Sequence, residues 1–137
     1  MSAALARAAA KPKPFRLTAP VPLEDELHVS AYQALRVLVP SEAVVNSWDL
    51  ANGKSAIEGA RKRRKGCLAG WPDMAVLWRS RMVLIELKRS RYGQLSAAQR
   101  ELHPRLEATG FPVTVCTSVE DVLETVVRAG IPLRGRL

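Results

Sequence analysis

The chain has 137 residues, 47% of them hydrophobic, which suits one domain with a real core and excludes wholesale disorder. Its 21 Lys and Arg outnumber 13 Asp and Glu, and the resulting charge of +8 points to a polyanionic partner, nucleic acid first. No apolar run approaches the roughly 20 residues of a membrane-spanning helix, so no membrane role is expected.

Residues 1–22 carry Arg7, Lys11, Lys13 and Arg16, no acid, and prolines at 12, 14, 20 and 22 that forbid a continuous helix. They read as a flexible basic arm, either touching phosphates or simply solvated, and not as a secretory signal. The domain proper is expected over 23–133, with 134–137 as a tail. From Leu23 to Val39 the apolar stripe Leu27, Ala31, Leu35, Leu38 has helical spacing, closed by Pro40. Ala43–Trp48 favours a strand and Asp49–Gly53 a turn. Lys54–Lys65 forms a helix with no strong apolar stripe, ending in Arg61, Lys62, Arg63, Arg64 and Lys65. Gly66–Asp73 is a loop. Met74–Trp78 and Met82–Lys88, separated by Arg79-Ser80-Arg81, form an antiparallel hairpin. Ser96 caps a helix to Thr109 that Pro104 should kink or break. Val113–Cys116 is a strand. Ser118–Ala129 is a helix whose buried stripe is Val119, Val122, Leu123, Val126 and Val127, stopped by Gly130 and Pro132. The order α-β-α-β-β-α-β-α defines a mixed α/β domain.

No Gly-rich phosphate loop follows a strand and no HExxH motif occurs, so no small-molecule cofactor is expected. Cys67 and Cys116 are too few for a disulfide framework or a thiolate zinc site, and read as reduced thiols of a cytoplasmic protein. The chemistry concentrates in Pro72-Asp73 and Glu86-Leu87-Lys88. Glu86 and Lys88 lie two apart on a strand and project from one face, after the apolar Val83-Leu84-Ile85. Charges rarely enter such a setting unless paired or ligating metal, and the hairpin brings Asp73 toward Glu86. Hard carboxylate oxygens hold Mg²⁺ or Mn²⁺, which acidifies water and offsets charge at a phosphorus centre. A lysine beside them can orient the attacking water or offset phosphate charge, or act as a base if its pKa is depressed. The bland alternative is a salt-bridge cluster on an exposed hairpin.

Pro72-Asp73 with Glu86-Leu87-Lys88 resembles the PD-(D/E)XK nuclease signature. The wider set Ala69-Gly-Trp-Pro-Asp73, Ile85-Glu-Leu-Lys88, Gln94-Leu-Ser-Ala-Ala-Gln99 and Gly110 is similar to the VRR-NUC branch, with Glu24, Leu27, Leu35 and Asn52-Gly53 in order upstream. The resemblance implies a restriction-endonuclease-like core, a central mixed sheet flanked by helices. It implies metal ligands Glu24, Asp73, Glu86 and the Leu87 carbonyl, with Lys88 next to the water and Gln99 from the following helix. Glu24 rather than Glu26 is chosen because it precedes Leu27, Ala31 and Leu35 by three, seven and eleven, on the apolar stripe. Gln99 likewise precedes Leu102 and Leu106 by three and seven; its alternative role is to satisfy buried backbone. His28, beside the helix glutamate, and Pro104 depart from the family pattern. His28 reads as a hydrogen-bonded structural residue or a phosphate contact.

Arg61–Lys65, Trp71, Arg89 and Arg91 are the expected DNA contacts, against the alternative of a solvated helix end. Trp48 and Trp78, in or beside strands, are assigned to packing. The resemblance implies a bacterial or phage-encoded deoxyribonuclease, selective for branched DNA such as four-way junctions. Symmetric cutting of two strands by a small chain calls for a homodimer. A flap- or nick-directed monomer and a non-catalytic DNA-binding module keeping the fold are the alternatives; the retained acids and lysine argue against the last.

Overall fold

A computed structural model describes residues 24–48, 55–90 and 94–135. The expected N-terminal arm, the 49–53 turn and Arg91 lie outside the described residues. The elements follow the expected order: α1 (Glu24–Leu38), β1 (Val44–Ser47), α2 (Ala56–Arg64), β2 (Met74–Trp78), β3 (Arg81–Leu87), α3 (Ala97–Ala108), β4 (Val113–Cys116) and α4 (Val119–Arg128). They build a mixed α/β domain. Four strands form one sheet in the order β1-β2-β3-β4. The first three are antiparallel and β4 runs parallel to β3.

Side chains alternate across β3, and the two faces differ in kind. Val83, Ile85 and Leu87 join Met74, Val76 and Cys116 in the apolar core, under Leu27, Ala31, Leu35 and Leu38 of α1 and Val122, Leu123 and Val126 of α4. Leu84, Glu86 and Lys88 point the other way, toward α3, whose Gln99 touches Glu86. Most apolar burial is thus on one face and the ionisable groups are on the other.

Local chemistry explains the boundaries. The Ser55, Ser96 and Ser118 hydroxyls accept the N–H three residues on, at Glu58, Gln99 and Asp121, which caps α2, α3 and α4. The last turn of α2 is Arg61–Arg64, cations where the helix dipole favours them, and the helix buries none of its residues.

Three expectations need correction. Helix α3 runs through Pro104 without a break. Pro104 and Arg100 are both exposed, so the carbonyl that loses its donor can turn to water. The hairpin turn is Arg79-Ser80 alone, both at positive φ (45° and 64°), and Arg81 already pairs with Trp78 in the ladder. Val127 is 52% exposed; Thr125 is buried in its place, its hydroxyl on the Asp121 carbonyl at 2.7 Å and 3.5 Å from Cys116 Sγ.

Candidate active site

The β2–β3 register pairs Met74 with Ile85, and one further step sets Asp73 opposite Glu86. Directly opposed side chains share a face, so both carboxylates look toward α3. Another step sets Pro72 opposite Leu87. A regular ladder would exchange two hydrogen bonds there. Instead Asp73 Oδ2 accepts the Leu87 N–H at 2.7 Å, and Pro72 has no N–H to offer the Leu87 carbonyl. The proline and aspartate thus end the β2–β3 ladder where the carboxylates meet.

Glu86 is 1% exposed. Its Oε1 accepts from Gln99 Nε2 at 2.5 Å and lies 3.4 Å from Lys88 Nζ. Its Oε2 is buried and has no partner. Burial first, and then the charge of Asp73, push its pKa up to about 7 against the pull of Lys88; Glu24 adds a smaller upward push. A buried carboxylate oxygen with no donor, next to a second carboxylate, is poorly arranged for a metal-free protein and well arranged for a divalent cation. Hard oxygen donors are the donor set that Mg²⁺ and Mn²⁺ take. Among the described residues, no three His, Cys, Asp or Glu side chains converge closely enough to enclose a metal. Asp73 and Glu86 lie at the centre of the candidate site, while Glu24 stands exposed at the first residue of α1 and reaches Glu86 through its field.

Gln99 faces inward as expected, but its partners are the Ser96 N–H and Glu86. Its Oε1 accepts the Ser96 N–H at 2.9 Å, closing a capping box, while its Nε2 reaches Glu86. The contact is to Glu86 and not to Lys88. The helix start is therefore part of the site. Gly70 explains how it comes so close: a Cβ there would lie 2.6 Å from the Ala98 carbonyl group and 2.7 Å from Gln99 N, and its φ is +83°.

Sequence reasoning missed His103. It lies four residues after Gln99 on the same face of α3, buried, and hydrogen-bonds to the Gly70 backbone. Burial holds its pKa below the usual imidazole range, and Nε2 has no partner. Its i+4 spacing from Gln99 is the one signal available in the sequence. His28 is a tie between elements, Nε2 to Ser47 Oγ at 2.9 Å.

Arg61, Arg63, Arg64, Lys65 and Arg89 are exposed and Lys62 is half-buried. Trp78 packs on the core with Arg79 over its ring at 4.6 Å. Trp48 does not join that core. Its ring meets Trp71 edge to face at 5.5 Å, and its backbone N–H donates to the Asp73 carbonyl at 2.9 Å.

Carboxylates opposed at the end of a hairpin, with a lysine two residues after the second, match the PD-(D/E)XK pattern, and the mixed sheet is consistent with that nuclease core. The chain belongs to the VRR-NUC domain family, whose model matches residues 11–120, and it is therefore a nuclease acting on DNA. No curated protein and no solved structure matches it.

Proposed function

We propose that the protein is a metal-dependent endonuclease that cuts branched DNA, acting as a homodimer. The observation that carries the metal requirement is the partnerless Glu86 Oε2 beside Asp73. Asp73, Glu86 and the Leu87 carbonyl, joined by Glu24, would hold Mg²⁺ or Mn²⁺. When bound, that ion supplies charge neutralisation and an acidified water for phosphodiester hydrolysis.

The chain's own groups do the positioning. Gln99 pins one oxygen of Glu86 and leaves the other free to ligate. Lys88 sits against that pinned oxygen, half-buried, where its ammonium can orient a water or offset phosphate charge. The exposed cations of α2 and Arg89 supply the salt-sensitive hold on the backbone. A dimer provides two sites for paired cuts, which one copy of this chain lacks.

The test is cleavage of labelled four-way junction, flap, duplex and single-stranded DNA, with Mg²⁺, Mn²⁺ or chelator, for the wild type and Asp73→Asn. The expected result is metal-dependent, paired cutting of the junction, reduced at least about 1000-fold in the variant while binding persists. Tight binding without cleavage of any substrate would leave a DNA-binding module instead. One observation favours flap cutting as a second reading: the cavity lined by Trp48 and Trp71, whose flat apolar walls suit an unpaired base.

A further inference from the structure

We propose that the cavity walled by Trp48 and Trp71 binds one unpaired DNA base next to the phosphate being cut. The inference rests on the nuclease reading and deepens it, because it assigns the branch-point feature that the site recognises. The cavity measures about 240 Å³ and, among the described residues, is lined by Trp48, Gly66, Cys67, Leu68 and Trp71. Both indoles are tied to the site by backbone. Trp71 precedes Asp73 by two residues, and the Trp48 backbone N–H holds the Asp73 carbonyl. Whatever enters the cavity is therefore held at a fixed offset from the carboxylates.

The lining selects the ligand class. Two indoles crossing at 77° and a Leu68 that is 45% exposed offer apolar surface to a flat ring. Immediately before Gly66 come the five cations Arg61–Lys65, at the end of α2. A planar ring attached to phosphates meets both halves of that surface, and a nucleobase is such a ring. Stacking on indole tolerates any base, because every base has a π-face. A base in a duplex cannot enter without leaving its own stack, at a cost of a few kcal/mol. The cavity thus favours flaps, gaps and opened branch points over continuous duplex.

Cys67 gives the test a reporter, since it lines the cavity and is exposed while Cys116 is buried. The wild-type protein, held in chelator so that nothing is cut, is saturated with flapped DNA or with blunt duplex. Modification of Cys67 by N-ethylmaleimide is then followed by mass spectrometry. Flapped DNA is expected to slow modification about tenfold, and duplex less than about twofold, the difference that one stacked base supports. In parallel, 2-aminopurine at the first unpaired position should be quenched on binding to wild type and to Trp71→Phe, and not on binding to Trp71→Ala. Equal protection by both DNAs, or quenching that survives in Trp71→Ala, overturns the proposal. Plasmid nicking with Mg²⁺ separates the two levels. Nicking without selective protection removes the base site alone, whereas protection without cutting of any substrate removes the nuclease reading and leaves the base site standing.

Discussion

Glu86 is an ionisable group buried almost wholly from water, and the pH dependence of folding should report it. Its pKa rises from 4.5 in the open chain to about 7 in the fold, so the folded chain holds the proton more tightly. The stability this gives is complete below pH 4.5 and is lost as pH rises through about 7, a change on the order of 3 kcal/mol. Glu86→Gln keeps an oxygen for Gln99 and removes the charge. In chelator at pH 8 its Tm should exceed that of the wild type, and its stability should vary less between pH 4.5 and 7. An unchanged pH slope in thermal melts would show that Glu86 is not the titrating group. Added Mg²⁺ should raise the wild-type Tm at pH 8 and leave the variant's unmoved, because only the carboxylate gains a ligand. The same substitution should abolish cleavage.

At the level of elements, the join between the 66–73 loop and α3 sets the site, and Gly70 is its tightest point. Gly70→Ala must displace the Ala98–Gln99 backbone and adopt a strained φ, so we expect a loss of roughly 2–4 kcal/mol by urea titration. Cleavage should fall more steeply than the folded fraction, since Gln99 moves with that backbone. The hairpin turn makes the opposite prediction. Arg79 and Ser80 hold left-handed conformations that Asn and Gly adopt readily, so Arg79→Asn with Ser80→Gly should add about 1 kcal/mol without altering cleavage. These residues also mark what is legible in the sequence. The α1 stripe, the Ser96 and Ser118 caps and the two-residue spacing of Glu86 and Lys88 are local signals, and they appear where the pattern puts them. The turn is one residue shorter than its sequence suggests because it lacks the Asn-Gly that announces its type. His103 is silent in the sequence because its partner, Gly70, is distant along the chain and near only in space. Trp48 resembles a packing residue for the same reason: its setting depends on Trp71 and on the Asp73 carbonyl.

Across the whole molecule, charge and packing are laid out separately. Arg61, Arg63 and Arg64 are exposed on a helix that buries none of its residues, so replacing them with Ala should leave stability within about 0.5 kcal/mol. The salt dependence of DNA affinity should flatten by roughly 0.9 in log–log slope for each phosphate that the variant no longer neutralises, measurable by fluorescence anisotropy. An unchanged slope would place the phosphate-binding cations elsewhere. The sheet divides its labour in the same way. One face, under α1 and α4, is almost wholly hydrocarbon; the other, toward α3, carries Glu86, Asp73 and Lys88. Because alternate residues of a single strand serve these two faces, neighbouring codons in β3 fall under unrelated pressures. On the role proposed for Glu86, drift at Val83 or Ile85 draws on the folding reserve and spares the chemistry, while drift at Glu86 is expected to end cleavage and leave a sturdier fold. A lineage that no longer needed to cut DNA could therefore lose its activity in one step and keep the scaffold for another use.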